Sequence, residues 1–234
     1  MLATAETVIA GLRRSCGRES NELVGLNLRN GKKLWSHPVT SPDGMMAVGG
    51  TIVGVEPENG GTVEGRGTVV GLDPRSGDAK WRWTMPTRCA CPPRMESAGN
   101  LVLLISCPDA AEALTHTVVT AIDSGTGRMA WSATAATPAD RRYAVTTDAR
   151  VVFAGDTTDS CRLTSIGEHK VSYLTMTETE VPRCGRVVAA ADNLILVRRR
   201  LDRRPQVVGI AGGRPGVSIG DRAWFGTEES DETH

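Results

Sequence analysis

Three stretches of this chain are variations on one another, and this repetition limits the fold more than any other feature. LVGLNLRNGKKLW (23–35), VVGLDPRSGDAKW (69–81) and VTAIDSGTGRMAW (119–131) align without gaps. Each runs through alternating apolar residues to Asn27, Asp73 or Asp123. Four residues later comes Gly31, Gly77 or Gly127, and four after that Trp35, Trp81 or Trp131. A weaker copy, LTSIGEHKVSYL, starts at Leu163 with a shortened turn and Tyr173 near the Trp position. A fifth, VVGIAGGRPG from Val207, has no Trp in register. With Gly25, Gly71, Ala121, Ser165 and Gly209 taken as equivalent, the copies are spaced 46, 50, 44 and 44 residues apart. A period of this size implies stacked copies of one supersecondary unit.

The unit itself follows from residue chemistry. Alternation over four to six residues describes a half-buried strand rather than a helix. Asp or Asn at the strand end bonds its own backbone, and Gly four residues on supplies positive φ, so the chain reverses in a tight hairpin. The Trp then lies on the returning strand, where its flat ring is placed to bury against a neighbouring unit. Upstream of each copy is a second β-rich run: TVIAGL (7–12), TIVGVE (51–56), LVLLIS (101–106), VVFAG (151–155) and LILV (194–197). Before most of these is a short stretch ending in a turn, such as Pro42-Asp43-Gly44 or Gly99-Asn100. Each repeat therefore offers a meander of four strands, a to d. A lone four-stranded sheet cannot bury both faces, so the units must stack around an axis. The expected fold is an all-β propeller of about five four-stranded antiparallel blades, as a small ring or part of a larger one. The blades fall at residues 1–38, 39–86, 87–135, 136–178 and 179–226, forming a single domain, with a flexible acidic tail at 227–234.

The hairpin pattern resembles the quinoprotein-type (PQQ-like) β-propeller repeat, in which an Asp-x-x-x-Gly turn precedes a Trp that docks on the adjacent blade. The resemblance runs from about Thr7 to Trp224, strongly in three copies. It implies blade-docking roles for Trp35, Trp81 and Trp131 and for Gly31, Gly77 and Gly127. It implies little about activity, because the same repeat serves dehydrogenases, outer-membrane assembly lipoproteins and other envelope proteins. The cofactor-dependent quinoproteins carry an adjacent Cys-Cys pair, where this chain has Cys89-Ala90-Cys91. Their calcium site and catalytic Asp lie in long inserted loops for which there is no room here. The expectation is thus a non-enzymatic binding or scaffold domain without a cofactor or metal. A quinone-cofactor oxidoreductase fragment and a five-bladed glycosidase are the alternatives.

Composition narrows the partners. Lys+Arg and Asp+Glu both number 27, so no global field draws the chain to nucleic acid or anionic lipid. No apolar run approaches the ~20 residues a membrane helix needs. The opening MLATAETVIAGLRRSC is interrupted by Glu6 and carries its basic pair after the apolar stretch, unlike a signal peptide. Basic residues are almost all Arg, a usage that resembles high-GC bacterial coding.

The six cysteines, Cys16, Cys89, Cys91, Cys107, Cys161 and Cys184, have no zinc-like spacing. Placed on the blades, Cys89, Cys91 and Cys184 begin strands a, while Cys16, Cys107 and Cys161 end strands b, so all six share one rim. Disulfides are the expected use: Cys107 with Cys89 or Cys91 within a blade, Cys161 with Cys184 between neighbours, other pairings remaining open. They would place the protein in an oxidising compartment, secreted or at the cell envelope. Arg198, Arg199, Arg200, Arg203 and Arg204 form the densest charge run. It suits an anion contact, although a solvated b–c hairpin accounts for it. Carboxylates near strand-a starts (Asp43, Glu96, Asp140) are what a glycosidase reading would use. His37, His116, His169 and His234 are scattered. The partner expected is a protein or envelope ligand on the rim or in the channel.

Overall fold

Alternating apolar runs punctuated by Gly, Asn and Asp make short strands and tight reversals, and the computed structural model consists of little else. It describes residues 2–3, 6–12, 21–41, 44–56, 67–85, 93–106, 115–137, 142–156, 160–168, 170–177, 186–190, 194–201, 204–211 and 214–215. Residues 2–3, 142, 156, 160–161 and all from 174 on are described by backbone path alone. Among the described residues no helix is long and apolar enough to cross a membrane.

Five sheets follow one another along the chain, each an antiparallel meander of four consecutive strands. The first comprises β1 (Leu2–Ala3), β2 (Thr7–Leu12), β3 (Asn21–Asn27) and β4 (Lys33–Val39). The second is β5 (Met46–Val48), β6 (Thr51–Glu56), β7 (Thr68–Leu72) and β8 (Ala79–Thr84). The third is β9 (Arg94–Ala98), β10 (Leu101–Ser106), β11 (Thr117–Asp123) and β12 (Met129–Ala135). Then come β13 (Arg142–Val145), β14 (Val151–Asp156), β15 (Ser160–Ile166) and β16 (Val171–Thr177), and finally β17 (Arg186–Ala190), β18 (Leu194–Leu201), β19 (Arg204–Ala211) and β20 (Arg214–Pro215). The five β-rich runs expected from sequence are β2, β6, β10, β14 and β18. The chain divides into two compact units, Met1–Ala113 with Val118–Ser132, and Leu114–Thr117 with Ala133–His234.

In the first unit the second sheet is buried on both faces. Ile52, Val70 and Leu72 join Ile9, Leu23, Trp35 and Val39 in one apolar cluster. Val48, Val53 and Val69 join Trp81, Val102, Leu104 and Ile122 in another. Neighbouring residues of a strand point to opposite faces, so Ile52 and Val53 serve different clusters. Each fully buried aliphatic side chain contributes about 1.5–3 kcal/mol, and neither face of this sheet would be shielded without its neighbour.

In the second unit, Val151, Val152, Phe153, Leu163 and Ile166 are buried, and the Tyr143 and Phe153 rings meet at 5.7 Å between centroids. The last sheet is described through its register. Leu201 pairs with Arg204 at the end of the antiparallel ladder of β18 and β19.

The reversal that leads into β6 is at Gly49-Gly50, with φ of 54° and 72°; Pro42 and Asp43 lie outside the described residues. One local expectation needs correcting. Tyr173 does not stand in for the repeat Trp. Ser165 pairs with Ser172, and Tyr173 pairs with Thr164. A one-residue displacement sends a side chain to the opposite face of a strand. Tyr173 is accordingly 47% exposed, with the Arg162 guanidinium 5.0 Å from its ring centroid.

Candidate functional site

The most repetitive chemistry in the first unit sits in the turns from β3 to β4, β7 to β8 and β11 to β12. In each, the side chain of the first residue caps the turn. Asn27 Oδ1 accepts from the amides of Arg29 (2.9 Å) and Asn30 (3.3 Å). Asp73 Oδ1 accepts from Arg75 (2.7 Å) and Ser76 (3.4 Å), and Asp123 Oδ1 from Gly125 (3.1 Å) and Thr126 (2.8 Å). These bonds, led by those from Thr126, hold the Asp123 carboxyl below its ordinary value. The backbone closes each turn with the Gly31, Gly77 and Gly127 amides donating to the Asn27, Asp73 and Asp123 carbonyls, all at 2.8 Å. The three glycines have φ of 68°, 75° and 69°, in the left-handed region that favours Gly.

Two of these turns carry an indole from the preceding sheet. Trp35 Nε1 donates to the Pro74 carbonyl at 3.2 Å, and Trp81 Nε1 donates to the Ser124 carbonyl at 2.7 Å. Each ring is clamped between two glycines. A Cβ on Gly25 would lie 2.2 Å from the Trp35 ring and one on Gly77 2.5 Å from it. For Trp81 the corresponding distances are 2.1 Å from Gly71 and 2.6 Å from Gly127. Gly25 and Gly71 stand directly across the ladder from their own Trp. Trp35, Trp81 and Trp131 are each 8% exposed.

The strongest polar constellation lies between the first two sheets. Glu56, at the end of β6, accepts from Arg82 of β8 through Nε (3.0 Å to Oε2) and Nη2 (2.9 Å to Oε1). His37 Nε2, from β4, lies 2.9 Å from Glu56 Oε1. Partial burial pushes the Glu56 carboxyl upward, but the hydrogen bonds and charges of Arg82 and His37 outweigh it, and the group lies below its usual value. Arg82 is raised in return, chiefly by its hydrogen bond to Glu56. Such an arrangement ties two sheets together, with both carboxylate oxygens engaged. Among the described residues no group of three or more His, Cys, Asp or Glu is placed to hold a metal ion.

No family model matches this chain, and no curated protein matches it. Solved structures do. An uncharacterized protein from Listeria monocytogenes EGD-e aligns with a TM-score of 0.52 at 12% identity, over 92% of this chain and 63% of that one. BamB from Moraxella catarrhalis aligns at 0.43 and 15% identity (94% and 59%), and a europium-containing methanol dehydrogenase at 0.48 and 13% (94% and 50%). The chain thus spans 50–63% of the length of these structures. The fold is all-β, built of five four-stranded antiparallel meanders of the kind that form propeller blades. At these identities the likeness concerns the fold alone, and each sheet is one blade.

Only some of the residues singled out in the sequence are among those described. Cys161 is the second residue of β15, opposite Asp156 and Met176, while Cys16, Cys89, Cys91, Cys107 and Cys184 lie outside the described residues. Arg198, Arg199 and Arg200 pair with Val207, Gln206 and Pro205 across the b–c hairpin of the fifth blade, and Arg204 opens its return strand. Arg203 lies outside the described residues. Glu96 sits mid-strand in β9 opposite Leu103, and Asp43 and Asp140 lie outside the described residues. His37 belongs to the Glu56 cluster, and His116 Nδ1 is 2.9 Å from Thr115 Oγ1. His169 and His234 lie outside the described residues.

Sequence reasoning missed the Glu56–Arg82 pair. Its members are 26 residues apart, and only the register of β6 with β7 and of β7 with β8 brings them together. A charged residue closing the otherwise apolar TIVGVE run was the available signal. Ser124 was missed as well. It is buried at 1%, donating its amide to the Asn100 carbonyl (2.9 Å) while its own carbonyl receives Trp81.

Proposed function

We propose that this chain is a non-catalytic propeller domain that binds a protein or envelope ligand on its rim or in its channel, and that it works outside the cytoplasm. The reading takes residues 1–226 as one propeller domain followed by an acidic tail. One observation carries it: the reactive groups of the repeat are occupied in architecture. The Asn27, Asp73 and Asp123 side chains are used in capping turns, and the Glu56 carboxylate is held by Arg82 beside His37. The Trp35 and Trp81 indoles are fixed between glycines and hydrogen-bonded to a neighbouring blade. A scaffold of this kind offers shape and rigid loop positions rather than a nucleophile or a general base.

Two measurements test the proposal. With pyrroloquinoline quinone, calcium and a panel of alcohols, dye reduction should not exceed that of a heat-treated control, and turnover would replace this reading with an oxidoreductase one. A binding domain must also form a saturable complex, so the full chain should show a defined Kd by calorimetry with a co-purifying envelope protein. The disulfide component is tested by mass after alkylation with and without reductant. Six alkylated thiols in the non-reduced protein would remove the case for an oxidising compartment.

A further inference from the structure

The three capped turns hold their fourth residue in the same way. The side-chain oxygen of Asn30, Ser76 or Thr126 accepts from the backbone amide two residues on, that of Lys32 (3.0 Å), Asp78 (3.2 Å) or Arg128 (3.4 Å). A hydroxyl serves this purpose as well as an amide does, so the architecture of the turn has no need of Asn there. The first turn nevertheless carries a carboxamide at this position, directly before Gly31, where the other two carry a hydroxyl before Gly77 or Gly127. Asn30 is exposed. Among the described residues nothing lies within 4 Å of the point where a Cβ on Gly31 would sit.

We infer that Asn30 is a self-modification site, converted by the Gly31 backbone into a mixture of aspartyl and isoaspartyl residues. The bond from Lys32 N to Asn30 Oδ1 closes a ring that contains the Gly31 peptide, and so folds the side-chain Cγ back toward the nitrogen that attacks it. The same bond polarises the carboxamide and stays on the oxygen where negative charge develops during attack. Gly31 has no side chain to obstruct the approach. Its amide now donates to the Asn27 carbonyl at 2.8 Å, a bond that opens first, as local fluctuations of an exposed turn allow. Solvent base then takes the Gly31 amide proton, the nitrogen bonds to Cγ, and the Cγ–Nδ2 bond breaks to release ammonia. Water opens the resulting succinimide at either carbonyl and leaves one carboxylate, so the net change is water consumed and ammonia released. Ser76 and Thr126 have no carboxamide and cannot follow this route. The aspartyl product retains an acceptor for Lys32 N. The isoaspartyl product adds a methylene to the backbone and shifts Gly31 away from Asn27 O. Either product places a new negative charge beside Arg29, Lys32 and Lys33. The inference is independent of the reading of the chain as a binding domain.

The test incubates the purified full chain at mildly alkaline pH beside the same chain unfolded in guanidinium. Digestion after Glu separates the peptide that begins at Leu23 from the one that begins at Asn59, which holds the other Asn-Gly step of the chain. In the folded chain the Leu23 peptide should become heavier by about 1 Da, with fragmentation placing the change at residue 30. It should also accept a methyl group from S-adenosylmethionine through an isoaspartyl methyltransferase. The folded rate should be no less than roughly one-tenth of the unfolded rate. Asn30→Ser, which installs the residue of the second turn, should abolish both signals. A change confined to the Asn59 peptide, or one in the Leu23 peptide that survives Asn30→Ser, would overturn the inference. So would an unmodified folded chain beside a modified unfolded one, since the capping bonds would then protect Asn30.

Discussion

The second and fourth blades solve the same problem with different parts. In the second, β8 carries Trp81, clamped between Gly71 and Gly127 and bonded to Ser124 O. In the fourth, Ser172 stands in the corresponding register, Tyr173 faces the other way, and the reversal is a short turn closed by Gly167 N donating to Lys170 O at 3.1 Å. The turns entering the second strand also differ. The second blade uses Gly49 and Gly50, while the fourth holds Ala149 at a φ of 60°, braced by Thr146 and by the Asp148–Arg150 pair. The Asp148 carboxyl feels opposing influences, burial raising it and the Thr146 and Arg150 contacts lowering it further. Phe153 of β14, 1% exposed, pairs through Thr164 with Tyr173 and so lies on the face opposite to that of Ser172.

The largest test of that contrast removes the aromatic from each. Trp81→Ala should cost about 3–5 kcal/mol in denaturant unfolding, and Tyr173→Ala well under 1 kcal/mol beyond its contact with Arg162. Equal losses would show that the two positions are equivalent after all. Next in size is a pair of glycine substitutions that share a backbone conformation but differ in surroundings. Gly127→Ala meets both the left-handed penalty and the Trp81 ring and should cost about 2–4 kcal/mol. Gly31→Ala meets the penalty alone, about 1–2 kcal/mol. A cost at Gly31 matching that at Gly127 would mean that the first turn is as crowded as the third.

A smaller effect, opposite in sign, is expected at Ala149→Gly. Relief of the positive φ should raise stability by up to about 1 kcal/mol, set against the greater chain entropy of Gly, and a loss would show that the Ala149 methyl packs usefully. The smallest effect belongs to the Glu56 tie. Its carboxyl is depressed in the folded chain relative to 4.5, so its contribution is fully present above that value and is lost as pH falls through the lower folded value. Glu56→Gln should flatten that part of the stability–pH profile while costing about 1 kcal/mol or less at neutral pH. An unchanged acid limb would place the linkage elsewhere.

Much of this was legible in advance because it is local. The run Thr51–Glu56 could only be a strand, Asp73 with Gly77 could only be a tight reversal, and the spacing of the copies required stacked sheets. The reading that failed was out by one residue. Tyr173 was placed by its distance from the turn, and a turn without the bulge seen at Gly25/Leu26 and Gly71/Leu72 moved it to the other face. The Glu56 cluster was illegible for a different reason, since its three members belong to three strands of two blades.

From the residues alone came the periodic strand, the capped turn, the left-handed glycine and a Trp with nowhere to hide inside its own sheet. These follow from dihedral preferences and alternation, which act over a handful of neighbouring residues. Only the packed structure decided which carbonyls receive the Trp35 and Trp81 indoles and which carboxylate bridges two blades. Those outcomes depend on register and on the sheet next door, and the energy of burying one face against another is not encoded in any single segment.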